Sequence, residues 1–137
     1  MPPMTSTALN PSIRYPQKTI ARATRAVRCA PFRLKLYVAM LNQSVALGTI
    51  AGPSGLRAQY TRRSISELSA DGELLWLIQV GLLRREVDGQ GLTDSFRLTP
   101  LGRQLVQRWQ TLGSVELRAT WRDRVYNAVD RWLRLPF

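Results

Sequence analysis

The chain has 137 residues with 20 Lys and Arg against nine Asp and Glu, a formal net charge of +11, and no His at all. That length suits one domain with a real core, the missing imidazole removes the commonest general base and a principal metal ligand, and one Cys excludes an internal disulfide. The charge is also lopsided: no Asp or Glu precedes Glu67, whereas ten of the 20 cations do, and uncompensated positive charge of this kind points to a polyanionic partner.

Residues 1–15, rich in Pro, Ser and Thr, have no periodicity and read as a flexible lead. Residues 16–30 follow as a basic amphipathic helix. Ile20, Ala23, Val27 and Ala30 share one face, and Lys18, Arg22, Arg25 and Arg28 line the other. No secretory leader is read here, and a cytoplasmic protein is the expectation, although an acid-free, Arg-rich start also resembles an organelle transit peptide. Pro31 suits the first turn of a second helix, Phe32 to Gln43, whose apolar residues nearly encircle it.

Val45 to Leu56 reads as a short helical stretch with Ala51 and Gly55 four apart. The small residue allows close packing and the glycine a sharp turn. Arg57 to Arg63 form a basic, Tyr-containing connection, and Ser64 to Val80 return to helix, with Asp71-Gly72 as a break point. Gly81 to Val87 and Thr93 to Leu98 flank a Gly-rich turn and predict a β-hairpin. Thr99 then caps a helix with Pro100 at its first position and Leu101, Leu105, Trp109 and Leu112 on one side. Gly113 ends that helix, and a last one carries Leu117, Trp121, Val125, Ala128, Val129 and Trp132 on one apolar face out to Leu133. The longest nearly apolar run, Leu74 to Leu83, is too short to cross a bilayer, so no transmembrane segment is expected.

The order helix, helix, helix, hairpin, helix gives a mainly α fold with a small β-hairpin. With Gly81-Leu82 before the hairpin and Leu98-Thr99-Pro100-Leu101-Gly102 after it, residues 31–112 resemble the winged helix-turn-helix domain of MarR- and PadR-type regulators. Residues 16–30 and 113–137 are then extra N- and C-terminal helices. The resemblance makes Ser64 to Val80 the recognition helix and Asp88 to Asp94 the wing tip, and it implies a homodimer formed by the terminal helix through Trp121, Val125 and Trp132. Two features depart from the pattern. The interval from Gly55 to Gly81 is long, and the recognition helix carries Glu67, Asp71 and Glu73, which phosphates repel.

Arg57, Arg62 and Arg63, with Tyr60 and Ser64, are candidates for gripping phosphate, since guanidinium presents a planar fork of donors. The plain alternative is a solvated loop. Lys18, Arg22, Arg25 and Arg28 are a second basic surface, or the solvated side of a docked helix. Arg84, Arg85 and Arg97 flank the hairpin as candidates for reaching phosphate, and the alternative for Arg84 or Arg85 is a pair with Glu86 or Asp88 across it. The three tryptophans at helical spacing are core or dimer seam before they are a ligand platform. Cys29 beside Arg28 has no base to activate it, and neither a metal-ligand cluster nor a phosphate-binding glycine loop is present. The expectation is a non-enzymatic protein without cofactors that binds DNA through backbone electrostatics and regulates transcription. The competing expectation is an adaptor that grips a protein partner and places its basic arm on RNA, ribosome or membrane.

Overall fold

The computed structural model describes residues 14–111 and 121–133. Within them seven helices surround a three-stranded antiparallel sheet. The first helix, α1 (Gln17–Cys29), buries Ala23, Ala26 and Val27, the apolar stripe its spacing predicts. The second, α2 (Leu34–Ala39), is shorter than the expected Phe32 to Gln43 and yields to turns after Met40. Its Leu36 and Tyr37 are wholly buried.

Residues 45–56 divide into three pieces rather than one helical stretch. Val45–Ala46 form a strand, β1, which leads into α3 (Leu47–Ile50) and then α4 (Gly52–Arg57). The junction depends on glycine twice. Gly52 takes φ +66, and a Cβ on Gly55 would overlap the Ile50 carbonyl, so a larger residue would push the two short helices apart. The next helix, α5 (Glu67–Gln79), is unbroken at Asp71-Gly72 and begins where the Ser66 hydroxyl accepts from the Ser69 N–H at 3.1 Å.

The hairpin consists of β2 (Leu83–Asp88) and β3 (Gly91–Leu98), and β3 lies at the centre of the sheet between β1 and β2. Leu83 faces Leu98, Arg84 faces Arg97, and Val45 faces Phe96. An irregularity between Arg85 and Val87 re-aims the outer part of the hairpin. Inside it Leu83, Phe96 and Leu98 are buried; beyond it Val87 and Leu92 are exposed.

Thr99 sits before α6 (Pro100–Thr111), accepting from the Gly102 N–H at 3.1 Å while its hydroxyl faces the Gly81 and Leu82 carbonyls. Leu101, Leu105, Val106 and Trp109 of α6 enter the core; Leu112 lies outside the described residues. The core joins these side chains to Leu74 and Leu77 of α5, Tyr37 of α2 and Val27 of α1. Burying a side chain of this size contributes roughly 1.5–3 kcal/mol. The final helix, α7 (Trp121–Leu133), returns across α1 and α5.

Candidate functional site: a basic loop, a covered arm and an acidic groove

The candidate cations fall into three groups with different surroundings. The first is the connection between α4 and α5. Its backbone is tied to the chain before α2 by an antiparallel bridge between Phe32 and Thr61, with the Arg33 N–H donating to the Tyr60 carbonyl at 2.8 Å. Its ends are fixed as well, since the Tyr60 N–H donates to the Gly55 carbonyl at 2.8 Å and the Gly52 N–H to the Ile65 carbonyl at 2.7 Å. Thr61 and Ile65 are buried. This pinned loop accounts for the long interval from Gly55 to Gly81, and Gln59 takes the left-handed turn it needs at φ 64.

Because alternate parts of the loop are anchored inward, Arg57, Arg62, Arg63 and Ser64 are left exposed. Lys35 is exposed and Arg33 half-buried on the strand-like segment and helix that the loop pairs with. The Phe32–Thr61 bridge thus brings Arg33 to the loop, and Lys35 follows two residues later in α2. Tyr60 is different: it is half-buried against the core, so most of its ring is committed to packing.

The second group is the α1 arm, where the structure departs from an open basic face. α7 lies over it. Arg25 pairs with Asp130 at 3.0 Å and stacks on the Tyr126 ring, while Arg28 reaches Asp123 at 3.7 Å. Arg22 is half-buried, and Lys18 is exposed near the start of the helix. Arg25 and Arg28 are thus engaged with this chain's own α7, whose polar side, with half-buried Asp123 and Asp130, faces α1.

The third group surrounds the hairpin. Arg85 is held by Asp71 at 3.1 Å and Asp94 at 3.6 Å and lies on the Phe96 ring, and Arg97 pairs with Glu86 at 2.8 Å. These pairs differ from the expected ones: Glu86 is taken by Arg97 and not by Arg84 or Arg85, and Arg85 finds Asp71 of α5 and Asp94 in place of Glu86 or Asp88. Arg84 is exposed. Between α5 and the hairpin lies a groove of about 570 Å³ whose lining includes Leu47, Leu68, Leu92, Glu67, Asp71 and Asp94. Sequence reasoning found the acids but missed the groove, since Leu68 and Leu92, distant in the chain, come to line one surface only after folding.

The apolar face of α7 is turned the opposite way from a helix docking by its hydrophobic side. Asp123, Asn127, Asp130 and Arg131 are half-buried toward the body, whereas Val125, Val129, Trp132 and Leu133 are exposed. Asn127 accepts from the Trp76 indole at 2.9 Å, and Arg131 pairs with Glu73 at 3.1 Å while lying over the same indole. Val125 and Trp132 are therefore outward-facing, as a dimer contact requires; the Trp121 side chain lies outside the described residues.

Cys29 is half-buried, and burial pushes its thiol above the usual range against the opposing pull of Arg124. The effect is opposite to the activation that Arg28 beside it could supply. Among the described residues no group of His, Cys, Asp and Glu is placed to hold a metal ion, and no helix is long and apolar enough to cross a membrane.

These features define a mostly helical protein with a small three-stranded antiparallel sheet, exposed loop cations and a groove lined in part by carboxylates. The chain belongs to the Npun_F0494-like family, whose model matches residues 13–131. No curated protein and no solved structure matches it.

Proposed function

We propose that this is a non-enzymatic winged-helix-type protein that binds a nucleic-acid backbone, duplex DNA first, through the edge formed by Arg33, Lys35, Arg57, Arg62 and Arg63, and that it acts in transcriptional regulation. The observation that carries the reading is the pinned loop: its backbone is hydrogen-bonded inward, and its guanidinium groups are left on the surface. A positioned cation loses less entropy on meeting phosphate than one on a mobile tail. The order α2, the paired short helices α3 and α4, α5, hairpin, α6 supports the resemblance to a winged helix, in which the loop would stand just ahead of the recognition helix.

Base readout is weak in this reading. The groove beside α5 presents Glu67, Asp71 and Asp94, and Arg85 and Arg97 are already paired. Binding is therefore dominated by backbone electrostatics. The test is a gel shift of full-length protein at low salt. We expect Arg57→Ala/Arg62→Ala/Arg63→Ala to weaken duplex binding at least tenfold, and retention of wild-type affinity would remove the reading.

A second reading is favoured by α7: its outward stripe of Val125, Val129 and Trp132 joins the molecule to a protein, a second copy of itself before any other. Sedimentation equilibrium decides it. Dimerisation lost in Val125→Ser/Trp132→Ser supports this interface, and a monomer at all concentrations excludes the homodimer.

A further inference from the structure

We infer that the groove between α5 and the hairpin is a docking site for a cationic amphipathic helix of a partner protein. This goes beyond nucleic-acid binding and does not depend on it. Leu68 is 84% exposed and Leu92 74% exposed, and both line one groove together with half-buried Leu47. Single exposed leucines are ordinary on a protein surface; apolar side chains gathered in a concave site and rimmed by polar groups are the mark of an interaction surface.

Charge selects the occupant. Three lining carboxylates, Glu67, Asp71 and Asp94, face one guanidinium, that of Arg85, which Asp71 and Asp94 already hold and which rests on Phe96. On a chain of net charge +11 this is a locally negative recess. Phosphate is repelled from it, and an acidic peptide is too. A helix with leucine-like side chains at i, i+3 and i+4 would fill the apolar part, while Lys or Arg on its flanks would meet Glu67 and Asp94. The Asp94 side chain, 84% exposed in its pair with Arg85, is available to a second cation.

The probe is a fluorescein-labelled synthetic Leu/Lys peptide of about four helical turns with its leucines on one face, compared with the same peptide carrying Glu in place of Lys. Fluorescence anisotropy with the full chain should show saturable binding of the Lys peptide and at least tenfold weaker binding of the Glu peptide. Leu68→Lys/Leu92→Lys and, separately, Asp94→Lys should each weaken the Lys peptide at least tenfold, with circular dichroism unchanged because all three side chains lie on the surface. Trp132→Ser should leave it unchanged, as should Arg57→Ala/Arg62→Ala/Arg63→Ala. The inference is overturned if the Lys peptide does not saturate, if both peptides bind alike, if the groove variants bind as wild type, or if Trp132→Ser is the change that abolishes binding. It is equally overturned if Leu68→Ser/Leu92→Ser lowers duplex affinity as much as peptide affinity, because nucleic acid then occupies the groove.

Discussion

At Gly55 one hydrogen in place of a methyl group decides how α3 meets α4. A Cβ there would overlap the backbone carbonyl of Ile50, an atom that cannot move without shifting a helix. Gly55→Ala should therefore lower stability by about 1–3 kcal/mol in urea melts, whereas Gly48→Ala, which meets open space, should not; equal melts would place the tight junction elsewhere. Tyr37 sets a second local constraint. Its hydroxyl is buried without a hydrogen-bond partner among the described residues, and burial drives its pKa far above the ordinary 10.0. The folded state thus holds the neutral phenol, so stability is complete below pH 10.0 and falls as pH rises above it, where the unfolded phenol ionises. Tyr37→Phe should be neutral or stabilising at pH 7, since it removes an unpaired polar atom, and should flatten the alkaline decline in thermal melts. A mutant that loses stability at neutral pH would show that the hydroxyl has a partner.

The elements differ in how plainly the sequence announces them. Thr99-Pro100 marks the start of α6, the Gly-rich turn marks the hairpin, and Ala23 and Val27 mark the buried face of α1. These are local signals, and local chemistry produces them. β1 has only two residues and exists because Phe96 and Ser95, far along the chain, accept it into the sheet; no window of sequence contains that partner. The orientation of α7 was hidden for a similar reason. Apolar periodicity says which residues share a face, not which face meets the body, and here the Arg25 and Arg28 guanidiniums and the Trp76 indole supply polar partners that turn the face of Asp123, Asn127 and Asp130 inward. Partly exposed pairs of this kind contribute at most about 1 kcal/mol each, so α7 is held by several weak contacts. Asp130→Asn/Asn127→Ala should speed hydrogen exchange along α7 without changing that of α5. Unchanged exchange on α7 would mean that other interactions hold it.

For the whole molecule, the surplus of positive charge is divided by folding and not simply displayed. α7 engages part of the α1 arm, Asp71, Asp94 and Glu86 engage Arg85 and Arg97, and the pinned loop retains Arg57 and Arg63 on the surface, where Lys35 of α2 is exposed as well. The lopsided count of acids and cations is legible in the sequence, and so are the loop residues. The allocation of each guanidinium is not, because it depends on which carboxylates the tertiary structure brings within reach. The proposed interaction is one in which phosphate meets the loop cations without base readout. Its most direct test is the salt dependence of duplex affinity, measured by anisotropy for the full chain on two duplexes of equal length and unrelated sequence. Log affinity should fall steeply with log salt, with the same slope on both duplexes, and Arg57→Ala/Arg62→Ala/Arg63→Ala should reduce that slope by about 0.9 for each phosphate that is no longer neutralised. A slope the triple change leaves intact, or affinity that depends strongly on duplex sequence, would contradict it.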